Sequence, residues 1–158
     1  MDPQARKKAL QMFTYGLYVL TARHGEDVVA STVSWVTQTS FQPPLIAVAI
    51  KQASQTYRVV REAGAFALNI LGEGQKALAS AFFRHAPVEG ETVGGHPFTT
   101  GSTGAPLLTE TPAYVECQVL EWVEQGDHHL AVAEVVNAGI NFEAAPLDLR
   151  STGWSYGG

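Results

Sequence analysis

The sequence predicts a small, mainly β protein with short α-helices, its antiparallel strands curled into a barrel. Two observations predict this. Apolar, β-branched or alternating runs follow one another with turn signals between them, while helical patterns are few and short. No repeat, low-complexity tract or linker divides the chain, so residues 1–158 read as one domain. Strands in meander order suit a small antiparallel barrel, because closing a sheet removes its exposed edges.

Taken in order, Asp2-Pro3 opens a short helix, with a capping carboxylate before a proline at the first helical position. Leu10 and Phe13 would form its apolar face. Leu17 to Thr21 reads as a strand, His24-Gly25-Glu26-Asp27 as a turn, and Val28 to Thr37 as the return strand. Pro43-Pro44 breaks the pattern before Leu45 to Ile50, an apolar run fit for a strand buried on both faces. Ser54 is a good N-cap for a helix from about Gln55 to Ala63, stopped by Gly64. Phe66 to Leu71 is a strand, and Gln75 to Phe83 a helix with Ala, Leu and Phe on one face. Ala86 to Thr111 should be mostly loop, with a short strand near Phe98. Tyr114 to Val123 and Leu130 to Asn137 are strands around the turn Gln125-Gly126-Asp127.

Composition excludes several classes. The hydrophobic share of 46% is ordinary for a globular chain. A net charge of −5 with no basic stripe argues against nucleic-acid binding. Cys117, the only cysteine, allows no disulfide within the chain and no four-cysteine metal site. It lies in a strand pattern and reads as a small buried hydrophobe. The N-terminus lacks an apolar signal core, and no run reaches the ~20 apolar residues of a membrane span. A cytoplasmic protein without a membrane partner is the expectation.

Four segments have residues suited to chemistry. From Leu45 to Tyr57, a strand end meets a helix start, where backbone N–H groups and the helix dipole favour an anion. Ser54 and Thr56 add hydroxyls, and Lys51 and Arg58 add charge nearby. Serine caps are common, however, and a plain cap is the commoner meaning of these residues alone. Ala30-Ser31-Thr32-Val33-Ser34-Trp35 is a strand whose small and hydroxyl side chains admit a flat ring and satisfy its polar edge. An ordinary half-solvated strand is its commoner meaning. In Gly126-Asp127-His128-His129, adjacent histidines on a strand face opposite sides and seldom share a metal ion. One His pointing into a cleft, or a solvated turn, are the alternatives; no metal site is expected. Phe82-Phe83-Arg84-His85 ends a helix, where Arg84 either binds a phosphate or answers the helix dipole.

Together these segments resemble the flavin reductase-like family with its FMN-binding split barrel. The resemblance runs from about Phe13 to Val136. It rests on Tyr15-Gly16-Leu17-Tyr18-Val19-Leu20-Thr21, Ala30 to Trp35, Thr39 to Leu45, Ser54-Gln55-Thr56, Gly64 to Leu71, and Gly126-Asp127-His128 with Ala133-Glu134-Val135. It implies that Ser31, Thr32, Val33, Ser34 and Trp35 run along the flavin ring. Ser54, Gln55 and Thr56 would hold the phosphate, with Lys51 nearby, and Phe83 and Arg84 would line its ribityl-phosphate side. His128 would be the catalytic histidine beside the nicotinamide site. The resemblance also implies a homodimer with flavin near the interface, NAD(P)H as co-substrate, and a flavin-dependent monooxygenase or other electron acceptor as partner. The chain's length and modest charge leave little room for an adenine site, which favours FMN over FAD.

The tail departs from the family pattern. Pro146-Leu147 is followed by Asp148, Leu149 and Arg150, then Trp154 and Tyr156, where many relatives have a tyrosine two residues on and a basic segment. The first functional expectation is therefore a flavin reductase passing hydride from NAD(P)H to FMN. The second, motivated by the tail, is an FMN-binding electron-transfer or carrier protein without a nicotinamide site. A barrel with no cofactor is the third.

Overall fold

The computed structural model describes residues 1–158. Helix α1 covers Pro3–Gln11, and strands β1 (Tyr18–His24) and β2 (Asp27–Val33) form a hairpin. Strands β3 (Val36–Ser40) and β4 (Leu45–Lys51) form the next, followed by α2 (Gln55–Ala63), β5 (Ala65–Ile70) and α3 (Lys76–Ala81). Four short strands follow: β6 (Val88–Glu89), β7 (Thr92–Val93), β8 (His96–Thr100) and β9 (Pro106–Leu108). The long hairpin of β10 (Ala113–Val123) and β11 (His128–Ile140) precedes a 3-10 turn at Arg150–Thr152.

The main sheet has seven strands in the order β2-β1-β5-β10-β11-β4-β3, every pair antiparallel. Its two edge strands, β2 and β3, are consecutive in the chain. The single strand expected from Val28 to Thr37 is in fact broken at Ser34-Trp35. Its first half pairs with β1, and its second half crosses to β4 at the far end of the ladder. The sheet therefore curls back on itself without a hydrogen-bonded seam between its edges. Covalent chain spans the gap instead, with the Trp35 carbonyl accepting from the Ala49 N–H at 3.0 Å. The expected antiparallel split barrel is present, and the split lies between β2 and β3.

Inside the curl, Leu20, Val48, Phe66, Leu68, Cys117 and Ala131 pack together. Val59 and Val60 of α2 are fully buried against the same cluster, so this helix plugs the curled sheet. Ser54 caps α2 and Gly64 ends it at φ +68°, as the sequence predicts. A second cluster lies on the other face of β1 and β2. There Leu17, Val19, Ala30, Leu78, Phe82 and Leu149 meet beneath α3 and the tail.

One expectation fails here and another holds in part. Leu10 and Phe13 do not form a buried face: α1 buries no residue, and Leu10 and Phe13 are 41% and 62% exposed. The stretch from Ala86 to Thr111 has the expected strand at Phe98, in β8, and loop over more than half its length, but β6, β7 and β9 join β8 in a four-stranded sheet. Its pieces of two to five residues are too short to show a period-2 pattern. Asn69 ties this small sheet to the large one. Its buried side chain donates to the Val19 carbonyl at 3.0 Å and accepts from the Leu108 N–H at 2.8 Å.

Glu116, wholly buried on β10, clamps the loop leading into β9. Its carboxylate accepts from the backbone N–H and the hydroxyl of both Ser102 and Thr103, and from the Asn137 amide at 2.7 Å. Gly101 is required beside it, because a Cβ there would overlap the carboxylate oxygens. Burial works against the charge, but the Thr103, Asn137 and Ser102 hydrogen bonds outweigh it and hold the pKa at about 2 against 4.5. That difference corresponds to about 3 kcal/mol of folding stability. The folded-state pKa is depressed, so this contribution is present above pH 4.5 and is lost as pH falls through about 2. Denaturant unfolding of Glu116→Ala is expected to show a loss of about 3 kcal/mol at pH 7, with N–H donors left unpaired. The difference from wild type should shrink toward pH 2; a pH-independent difference would show that the clamp is not electrostatic.

Candidate functional site

A cavity of about 520 Å³ opens where the sheet is split. The end of β2, the end of β4, the start of α2, the end of α3 and the tail surround it. Its lining combines apolar side chains, among them Leu17, Val33, Ile50, Phe82 and Leu149, with polar and aromatic ones.

One end is the start of α2. Ser54 has extended backbone, and its hydroxyl accepts from the Tyr57 N–H at 3.0 Å while donating to the Lys51 carbonyl at 2.7 Å. The next N–H groups, of Gln55 and Thr56, have no carbonyl partner within the helix. No acidic side chain lies in this first turn, so the dipole is left to attract an anion. The buried Thr56 hydroxyl lies 2.5 Å from that of Ser31, joining α2 to β2 at the cavity wall. Lys51, the last residue of β4, also lines the cavity and stands opposite His128 in the β4–β11 ladder.

The other end is aromatic. The Trp35 ring lies 4.6 Å from that of His128, 5.0 Å from that of Tyr156 and 6.5 Å from that of Tyr15. His128 is held at both nitrogens. Its Nδ1 is 2.8 Å from an Asp127 carboxylate oxygen, and its Nε2 is 2.6 Å from the Tyr156 hydroxyl. The hydrogen bond to His128, with the histidine's charge, lowers the Asp127 pKa. Burial, then the Asp127 charge, raises that of Tyr156. His129 faces the opposite side of β11, where its Nδ1 meets the Tyr57 hydroxyl at 2.8 Å. Strand alternation thus sends the paired histidines apart.

Most residues singled out in the sequence converge here: Ser31, Thr32, Val33, Ser34, Trp35, Lys51, Ser54, Thr56, Phe83 and His128 all line the cavity. Gln55 and Arg84 do not. Gln55 is exposed because its neighbour Thr56 takes the inward face, leaving Gln55 only its main-chain N–H to offer. Helix α3 ends at Ala81, before the expected Phe83, so Phe82 enters the core, Phe83 reaches the rim and Arg84 points outward. Arg58 also turns away, bound to Glu62 at 3.1 Å and Asp27 at 3.4 Å. The Thr32 hydroxyl donates to the Ala79 carbonyl at 2.6 Å, and its N–H to that of Phe82. Both groups hold α3 against the edge of β2.

The sequence marks the tail for its departure from the family pattern at Trp154 and Tyr156, but singles out none of its residues as part of the site. Trp154, Ser155 and Tyr156 all line the cavity. The signal was present, since two aromatics stand in an otherwise Gly/Ser/Thr-rich stretch from Ser151 to Gly158.

The residues fit a flat ligand with an anionic end. The cavity is lined largely by apolar side chains and is ready for an anion at α2. Buried Trp35 Nε1, at the far end, is a donor with no partner in the protein. Such a cleft in a split antiparallel barrel has the form of a small-molecule binding site. The chain belongs to the flavin reductase-like domain family, whose model matches residues 10–151.

It is 32% identical over 144 residues to a probable flavin reductase of Rhizobium meliloti, covering 89% of this chain and 45% of that one. With the reductase component of a 4-nitrophenol 4-monooxygenase/4-nitrocatechol 2-monooxygenase of Rhodococcus opacus it shares 33% over 138 residues, 87% of this chain and 72% of that one. The chain spans only 24% of the Synechocystis diflavin flavoprotein A 1 that it also matches. Among solved structures, the styrene monooxygenase flavin reductase of Pseudomonas putida S12 superposes with TM-score 0.78 at 30% identity, covering 95% of this chain and 94% of that one. An FMN-binding protein of Thermus thermophilus superposes with TM-score 0.72 at 30% identity, covering 82% and 72%. No helix is long and apolar enough to cross a membrane.

Proposed function

We propose that this protein is a flavin reductase, an oxidoreductase that holds FMN in the 520 Å³ cavity and reduces it with NAD(P)H. The observation that carries the reading is the largely apolar cleft whose lining includes both the start of α2 at Ser54 and the Trp35–His128 pair. A single anion-ready end matches a ligand with one terminal phosphate, which favours FMN over FAD. Similarity to the Thermus FMN-binding protein supports the same choice. Bound flavin would supply the redox chemistry, accepting a hydride and passing electrons onward. Ser54, Thr56, Lys51 and the Gln55 N–H would hold the phosphate, while Ser31 to Trp35 would lie along the ring. The hydrogen bonds at both its nitrogens fix the His128 ring beside Trp35, where it would orient a nicotinamide once Tyr156 gives up Nε2.

The second reading, an electron-transfer or carrier protein without a nicotinamide site, is favoured by one observation. Tyr156 already occupies His128 Nε2. A visible spectrum separates the readings. The purified protein is expected to be yellow and to bleach anaerobically with NADH or NADPH, and His128→Ala should slow bleaching by roughly tenfold or more. Flavin that stays oxidised with both donors would favour the carrier.

Thr56→Val removes a hydroxyl from the phosphate end. Its expected effect is a weakening of FMN binding by about 1.5–3 kcal/mol and a much smaller one for riboflavin. Equal losses, measured by fluorescence titration, would show that the phosphate lies elsewhere.

A second copy of the chain and a flavin-dependent monooxygenase are the partners we propose. The Rhodococcus relative, named as a monooxygenase reductase component, supports the latter. For the former, Val136 and Leu120 stand at the two irregularities of the β10–β11 ladder, and both are exposed. Ile140 at the end of β11 and Phe142 just beyond it are further exposed apolar side chains, at 72% and 45% exposure. In sedimentation velocity the wild type is expected as a dimer, and Leu120→Glu combined with Ile140→Glu as a monomer. A monomeric wild type would refute the pairing.

A further inference from the structure

Beyond the flavin cavity, the segment Trp154–Gly158 covers the aromatic end of the site. Gly157, at φ +98°, lies flat on Trp35, and a Cβ there would stand 2.8 Å from the indole ring. The anchor of the segment is Trp154, whose ring packs edge-on against Phe83 at 4.8 Å with the Lys76 ammonium 5.0 Å from its centre. Beyond Trp154 the hold is slight. The Gln11 amide donates to the Gly157 carbonyl at 3.2 Å, and the Tyr156 hydroxyl meets His128. Ser155 to Gly158 make no backbone–backbone hydrogen bond. A stretch held this lightly opens at little cost.

Behind this segment lies a second cavity, of about 310 Å³. It shares Leu149, Trp154, Ser155 and Tyr156 with the first, so the segment is the wall between them. Its remaining lining includes two aromatic rings, Phe13 and Tyr15, and two charges, Asp148 and Arg150. Asp148 accepts from the Ser151 N–H at 2.8 Å. Arg150 has no ion-pair partner. An unpaired guanidinium beside two aromatic rings, one exposed and one half-buried, suits a phosphate attached to a base.

Tyr156 has the shape of what would replace it. A six-membered planar ring lies against Trp35 and presents one polar group to His128 Nε2. A nicotinamide with its carboxamide offers the same combination. We propose that the second cavity takes the phosphate-bearing half of the hydride donor, with its phosphates against Arg150. Tyr156 holds the place of the nicotinamide on His128 until the donor displaces it. This rests on the reading of the protein as an NAD(P)H-dependent reductase. Because the competent state forms only when Tyr156 leaves, the resting contact lowers the apparent affinity for the donor by the fraction of time it is made.

The two residues should act in opposite directions. The FMN-loaded protein is mixed anaerobically with a series of NADH and NADPH concentrations, and flavin bleaching is followed by stopped flow. In Tyr156→Ala the half-saturating donor concentration is expected to fall by about threefold or more. Tyr156→Phe, which keeps the ring and loses the bond to His128, should fall between that variant and wild type. In Arg150→Ala the half-saturating concentration should rise by roughly fivefold or more while the FMN dissociation constant stays within about twofold of wild type. A half-saturating concentration that is unchanged or raised in Tyr156→Ala overturns the proposal, and so does an unaffected Arg150→Ala. Wild-type flavin that bleaches, with variants that do not shift, defeats this inference alone. Bleaching of Tyr156→Ala but not of wild type supports it, whereas bleaching of neither defeats the reductase reading as well.

Discussion

The structure depends on one break in one strand. Had Val28 to Thr37 run on as a single strand, its two halves would have stayed on one edge of the sheet. At Ser34-Trp35 the chain instead leaves β1 and crosses to β4, at the other end of a seven-stranded ladder. This crossing curls the sheet and leaves its edges unpaired with one another. Unpaired edges are a liability unless something covers them. Here α2 packs into the curl, and the carbonyls of Ala79 in α3 and of Phe82 just beyond it take the Thr32 hydroxyl and N–H at the edge of β2. The cavity lies where this covering is incomplete. Trp35, at the crossing itself, is therefore both a hinge of the topology and the floor of the aromatic end.

The two ends of the cavity differ because different backbone features make them. At α2 the polarity is main-chain: capped helix, unpaired N–H groups, a dipole with no acidic residue to offset it. At β11 it is side-chain: Asp127, His128 and Tyr156 joined through the two nitrogens of one imidazole. The first kind is rigid, since Val59 and Val60 lock α2 into the core. The second relies on Tyr156, which lies 46% exposed in a stretch with few bonds. A ligand bound across both would be fixed at one end and adjustable at the other.

Much of this was legible in the sequence wherever a local rule decides the outcome. Ser54 and Gly64 bound α2 as expected because caps depend on their own residues and nearest neighbours. The apolar run at Leu45 to Ile50 reads correctly as a strand, since burial on both faces leaves few alternatives. Cys117 is buried, as its strand context implies, and burial together with the Glu116 charge raises its pKa to about 12. What stayed hidden depends on contacts between distant parts of the chain. Nothing local marks Ser34-Trp35 as a break, because strand propensity continues straight through to Thr37. Arg84 looked well placed until the turn ending α3 rotated it outward. Tyr156 entered the site only because 28 residues of chain return it to His128.

Stability is distributed to match this division. Around β10, polar groups are buried and fully paired, with Glu116 accepting from two backbone N–H groups, two hydroxyls and an amide. Asn69 likewise ties β1 and β5 to β9 through donor and acceptor together. Satisfied networks of this kind, shut away from water, resist opening because each member would otherwise lose its partner. No equivalent network fixes the residues from Ser155 onward. The wall of the cavity formed by Tyr156 is thus its most easily moved part, while the strand and helix that would carry a flavin are among the most firmly held. A site that must retain one ligand and exchange another needs that asymmetry, and in this chain it follows from where the buried hydrogen bonds are placed.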